Sequence, residues 1–189
     1  MIHRELQNIS HQTTKALRDL IPKSVIEEAD VNQKKQPAAS IHLQRAAMAR
    51  TQAKLVETLE VAFGREEAVR LGREALFLVG QEIGKRTRVK LGVSNNPEDL
   101  IKAAKILYRV LGIDFHLEWL DNSNARAIID RCELAGQYSK LTCEVLSATD
   151  EGVMKGLQPN VTMKFKEYLT SGCKNCKADI HFDKKEIVE

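Results

Sequence analysis

The sequence predicts an α+β fold in which N-terminal helices pack against a C-terminal antiparallel sheet ordered strand–strand–helix–strand–strand. Three observations lead there. Apolar residues recur every three or four positions through the first half, the period of helices that bury one face. From Ile113 the period drops to two, the pattern of half-buried strands. In the back half a single helical stretch is flanked on each side by alternating segments, so its strands can pair as neighbours without long crossovers.

The first helix carries Ile2, Leu6, Ile9, Thr13, Leu17 and Leu20 on one stripe and is ended by Pro22. Residues 22–39 lose periodicity and gather Glu27, Glu28, Lys34, Lys35 and Pro37, the composition of a linker. Residues 1–39 are therefore read as an amphipathic helix and linker, and residues 40–189 as one α+β domain with a cysteine-bearing C-terminal hairpin. The first helix is expected to be a packing arm, on its own domain or on a second subunit, which makes a homodimer a reasonable expectation. Its polar face mixes acids, amides and bases, unlike a membrane-surface helix.

Ser40 starts a second helix with Leu43, Ala47, Leu55 and Leu59, ending near Phe63-Gly64, and a third runs from Arg65 to about Val89. Within the third, Gly72, Gly80 and Gly84 share a face with Leu76. Each glycine in a helix costs about 1 kcal/mol relative to alanine, so three on one face ask for a reason. Close helix packing is the common one and room for a ligand the rarer one. Asn96-Pro97-Glu98-Asp99 supplies a capping side chain, a proline at the first helical position and acids in the first turn, so a fourth helix runs from there to Gly112.

Ile113, Phe115, Leu117 and Trp119 then alternate with Asp114, His116 and Glu118, a turn follows at Asp121-Asn122-Ser123-Asn124, and residues 125–130 form a second strand. A helical stretch holds Leu134, Tyr138, Leu141, Val145 and Leu146 and stops at Gly156-Leu157-Gln158-Pro159. Val161, Met163, Phe165, Glu167 and Leu169 alternate again, and Ala178, Ile180 and Phe182 follow a glycine-containing loop.

Composition excludes several classes. With 43% hydrophobic and 29% charged residues the chain is ordinary for a globular protein, and a net charge of +3 without a basic, aromatic-interleaved patch gives nucleic-acid binding no support. No apolar run approaches the ~20 residues that span a bilayer, and the N-terminus has no apolar signal core, so a cytoplasmic location without membrane association is expected. In that compartment the four cysteines stay reduced and read as metal ligands, reactive thiols or core residues.

All four fall late: Cys132, Cys143, Cys173 and Cys176. Cys173-Lys174-Asn175-Cys176 has the spacing that lets two thiolates reach one ion, which suits zinc or, alternatively, an iron–sulfur cluster. A redox dithiol competes but lacks its usual helix N-terminus in a βαβ setting. On one unbroken helix Cys132 and Cys143 would lie about 16 Å apart, so both reach one ion only if the chain bends, most simply at Gly136. His181 lies about 16 Å beyond Cys176 along a strand and is a poor partner. The expected set is Cys143, Cys173 and Cys176, completed by Cys132 or by Glu167 if the hairpin tip curls over. The competing reading makes Cys132 and Cys143 core hydrophobes. His116, Glu118 and Asp114 share a polar strand face, close enough for acid–base work but more often simply solvated. There is no P-loop, dinucleotide glycine fingerprint, G-x-S-x-G elbow or H-E-x-x-H.

Four segments carry a resemblance: Arg131-Cys132-Glu133-Leu134-Ala135, Leu141-Thr142-Cys143-Glu144-Val145, Lys155-Gly156-Leu157-Gln158-Pro159-Asn160 and Leu169-Thr170-Ser171-Gly172-Cys173-Lys174-Asn175-Cys176. In that order they resemble the L-2-amino-thiazoline-4-carboxylate hydrolase family, as does Phe63-Gly64-Arg65-Glu66-Glu67-Ala68. The resemblance covers about residues 41–183. Two positions depart from the family pattern: Glu133 stands where proline is usual, and Cys173 where an acid is usual. The second suggests that this member holds a metal where others do not. The pattern is also similar to the 4-vinyl-reductase (V4R) ligand-binding domain and its Bet3-like fold. That similarity implies a structural zinc on Cys143, Cys176 and Glu167, beside a buried small-molecule pocket between helices and sheet.

These readings converge on hydrolytic opening of a small heterocycle, a hydrolase acting on cyclic C–N bonds, with a metal-bound water or a cysteine thiolate as nucleophile. The alternative is a metal-binding small-molecule-binding or sensor domain without catalysis.

Overall fold

The computed structural model describes residues 2–26 and 40–183, so residues 27–39 of the expected linker lie outside the described residues. Among the described residues, six helices, α1 (Ile2–Leu20), α2 (Lys23–Ile26), α3 (Ile41–Phe63), α4 (Arg65–Leu91), α5 (Pro97–Leu111) and α6 (Lys140–Leu157), accompany four strands, β1 (Ile113–Trp119), β2 (Asn124–Cys132), β3 (Val161–Glu167) and β4 (Cys176–Phe182). The sheet is antiparallel throughout, in the order β1-β2-β4-β3. This is the α+β arrangement expected, and in its sheet β4 lies between β2 and β3.

Local chemistry fixes the helix ends. The Ser40 side chain accepts from the Leu43 N–H at the start of α3, and Asn96 accepts from Glu98 N–H ahead of Pro97 at the start of α5. Gly92 and Gly112 close α4 and α5 in the left-handed conformation, with φ of 63° and 72°. α1 buries Leu6, Ile9, Thr13 and Leu17 against α3 and α4 of its own chain.

The glycines of α4 are explained by α6. A methyl group on Gly80 would lie 2.0 Å from the Thr149 carbonyl oxygen, and one on Gly84 2.3 Å from that of Val153. Reciprocally, one on Gly152 would lie 2.1 Å from Phe77 O and one on Gly156 2.1 Å from Gln81 O. The two backbones touch, so the common reason holds and these glycines leave no room for a ligand.

Between β2 and α6 the chain departs from the expected pattern. β2 continues to Cys132, a single 3-10 turn spans Ala135–Gln137, and α6 begins only at Lys140. Pairing of Cys132 with Ile113 prolongs the strand, and Ser139, whose Oγ accepts from Thr142 N–H at 3.1 Å, sets the later helix start. Local period alone does not see either partner. At the same corner Arg45 is buried, donating to the Val110 and Arg109 carbonyls at 2.9 and 2.7 Å and to Glu133 at 2.9 Å. The unusual Glu133 thus ties α3 to the end of α5 rather than entering a site.

The sheet's inner face carries Ala125, Ala127 and Ile129 from β2, Ala178, Ile180 and Phe182 from β4, and Val161 and Met163 from β3, all buried. Its outer face is charged. There His116 meets Asp130 at 2.7 Å and Asp114 meets Arg131 at 2.9 Å, all four exposed, which is the solvated reading of that strand face.

Candidate functional site: a cavity between helices and sheet

A cavity of about 90 Å³ lies where α1, α3, α5 and α6 meet the inner face of the sheet. A second, apolar void of about 10 Å³ between α5 and the sheet is scarcely large enough for one water. The larger cavity is lined by aliphatic and aromatic groups with a few polar atoms among them, the composition of small-molecule sites.

Asp150 on α6 is the charged side chain in this lining. It lies one residue past Thr149, whose carbonyl abuts Gly80, so the tight α4–α6 contact fixes where the carboxyl sits. By surface area Asp150 is half-buried, but it lies deep in the molecule and its open side faces the cavity. Burial pushes its pKa up to about 7; the Tyr108 hydroxyl opposes the rise and neighbouring Glu151 adds to it. Glu151 is itself tied to Arg73 at 2.7 Å and accepts from Phe165 N–H at 3.3 Å.

Three hydroxyls are notable around the carboxyl. Tyr108 Oη interacts with the Asp150 carboxyl without a hydrogen bond of ordinary geometry, and Thr149 Oγ1 is buried without a hydrogen-bond partner. Both residues line the cavity. Buried polar atoms are rarely left unpaired, so a polar ligand atom or a water fits between them. By contrast, Tyr138 Oη donates to Gln52 Oε1, and Gln52 Nε2 donates to Thr13 Oγ1 at 2.8 Å, a satisfied chain joining the cavity wall to α1.

The structure divides the expected cysteine set. Cys132, Cys143 and Cys176 line the cavity, and Cys173 does not. The C-x-x-C pair splits because β4 begins at Cys176, whose side chain shares the inward face with Ala178 and Ile180, whereas Cys173 stays in the hairpin after Gly172. Cys132 and Cys143 are brought to one cavity by the bend at residues 133–139, with Gly136 inside the 3-10 turn. Burial pushes Cys132 up to about 11, against the pull of the Leu134 and Ala135 N–H groups, and Cys143 up to about 12, with Thr170 opposing. Burial raises Cys176 as well, although its sulfur accepts the Leu169 N–H at 3.2 Å. At neutral pH all three are thiols rather than nucleophilic thiolates.

Glu167 lies at the end of β3 outside the cavity lining, with its carboxylate 3.0 Å from Lys177 Nζ. Among the described residues, no group of three or more His, Cys, Asp or Glu side chains is placed to hold a metal ion. Cys173 and Glu167 thus stand apart from the three thiols that line the cavity.

Asp150 and Tyr108 escaped the sequence reading. A signal was present: Leu146, Asp150 and Met154 follow at i, i+4 and i+8 on α6, so a carboxylate stands in an apolar stripe.

Helices laid on one face of a four-stranded antiparallel sheet, around an internal cavity, define a V4R/Bet3-like α+β fold. A trafficking protein particle complex subunit 3 from Naegleria fowleri, covalently bound to palmitic acid, superposes with a TM-score of 0.57 at 13% identity, covering 75% of this chain and 96% of that one. The phenol-responsive sensory domain of the transcription activator PoxR, with phenol, gives a TM-score of 0.54 at 14% identity, covering 73% and 74%. These likenesses establish the fold alone. No curated protein matches the chain. The chain belongs to the L-2-amino-thiazoline-4-carboxylic acid hydrolase family, whose model matches residues 42–180.

Proposed function

We propose that the protein is a hydrolase that opens a small thiazoline-type ring in the central cavity, with Asp150 as its acid–base group. The observation that supports this most is a carboxyl whose pKa burial lifts to about 7, beside the Tyr108 hydroxyl in an otherwise mostly apolar cavity. A general base works best with a pKa near the working pH, and such a group typically contributes ~10²–10⁴-fold.

The chemistry balances on these residues. The ring carbon between nitrogen and sulfur is electrophilic. Water adds its oxygen there while the Asp150 carboxylate takes the proton. The ring C=N bond becomes single as its nitrogen takes the second water proton, the new C–O bond becomes the urea carbonyl as the carbon–sulfur bond breaks, and the carboxylic acid of Asp150 returns the first proton to the departing sulfur, leaving a urea and a thiol. Tyr108 is placed to donate to or accept from the ring substituent. No cysteine is needed as nucleophile, in keeping with the raised thiols.

A non-catalytic binding module is the second reading, favoured by the lack of a hydrogen-bonded nucleophile–base–orienter set in the cavity lining among the described residues. The two separate on turnover. Purified protein incubated with 2-amino-thiazoline rings, with and without the 4-carboxylate, is expected to release the ring-opened thiol, seen by mass spectrometry. Asp150→Asn should lower the rate by ~10²-fold or more. Binding without release of any product would favour the module.

A further inference from the structure

The charge pattern of the cavity discriminates among rings. Asp150 is the charged side chain in its lining, and no lysine, arginine or histidine among the described residues contributes to it. Arg73, nearby on α4, is engaged by the Glu144 carbonyl at 2.6 Å, Ser147 at 3.0 Å and Glu151 at 2.7 Å, and is not part of the lining. Four aromatic residues, Tyr108, Tyr138, Phe165 and Tyr168, line the same space. A carboxylate on the ligand would meet a like charge in apolar surroundings with no cation to share it. A cation would meet a carboxylate and aromatic faces, both of which attract it. Thr149 Oγ1, buried without a hydrogen-bond partner, and Tyr108 Oη beside the carboxyl add acceptors for a second N–H of the same group.

Taking the small-ring reading above as its basis, we infer that this cavity accepts a ring bearing a cationic amidine- or amine-type nitrogen and no carboxylate. This chain's ligand would then differ from the carboxylate-bearing thiazoline for which its family is named. Asp150 holds the ring N–H groups, and repulsion of the anion supplies the selectivity that shape alone does not.

Calorimetric titration of the full chain at pH 8 with three rings of matched size tests this. The rings are 2-amino-2-thiazoline (cationic), 2-methyl-2-thiazoline (neutral) and L-2-amino-thiazoline-4-carboxylate. The first is expected to bind at least about tenfold more tightly than either other, about 1.4 kcal/mol. Asp150→Asn should bring the cationic and neutral rings within about twofold of each other. The ranking is read on the unmodified chain, so it stands whether or not the variant folds. Equal or tighter binding of the carboxylate-bearing or neutral ring overturns the inference and leaves the small-ring reading intact. Failure of all three to bind overturns both.

Discussion

The two sides of α6 are built on opposite rules. Toward α4, glycines on both helices bring backbone against backbone, with Cβ positions as little as 2.0 Å from a facing carbonyl. Toward the sheet, the same helix faces a cavity of about 90 Å³ and carries Asp150 and an unpartnered Thr149 hydroxyl. The dry side has no tolerance and the open side has unsatisfied polar groups. The difference teaches that the first makes the second possible, because an acid held in apolar surroundings keeps its geometry only if its helix cannot shift away.

Gly80→Ala should break the comparison most severely. The added methyl meets backbone rather than a flexible side chain, so overpacking should cost about 3 kcal/mol, seen as a melting temperature lower by roughly 6–12 °C. Asp150→Asn should act in the opposite sense on stability. The folded pKa of about 7 lies above the ordinary 3.8, so the folded state holds a proton that the unfolded chain has released in between. This group's contribution to stability is therefore greatest below about pH 4, falls as pH rises toward 7 and is lowest above it. The variant should gain on the order of 2 kcal/mol over the parent in denaturant titrations at pH 8, with little gain at pH 4. Equal stability at pH 8 would show that the carboxyl is not strained by burial. Gln52→Leu removes the link between Tyr138 and Thr13 without opening a large void. It should cost about 1 kcal/mol and speed amide exchange in α1. The smallest effect sharpens the division of the thiols: a disulfide exchange reagent should modify Cys173 first, with Cys132 and Cys143 slower by more than about tenfold. Equal rates would place the cavity thiols in contact with solvent.

Much of the fold was legible because its signals are local. Asn96-Pro97 and the glycines after α3, α4 and α5 mark helix ends by backbone chemistry alone, and the switch to alternation at Ile113 marks the sheet. The start of α6 was not legible, since Leu134 and Tyr138 continue an apparent helical period while the pairing of Cys132 with Ile113 keeps the chain extended. For the site, the resemblance pointed to a pocket between helices and sheet, and three of the five residues expected to ligate do meet there. Cys173 and Glu167 do not, because Cys173 stays in the β3–β4 hairpin and Glu167, at the end of β3, pairs with Lys177.

By itself, the sequence determined the periods, the caps, the family and the presence of glycines too costly to be idle, each a property of neighbours along the chain. Only the tertiary structure decided that those glycines serve packing, that the C-x-x-C motif divides, and that Asp150, rather than a cysteine, has its pKa brought to about 7. The reason is physical: desolvation by surrounding elements sets an acid's pKa, and which elements surround Asp150 depends on contacts from α5, α6 and the sheet that no local window contains.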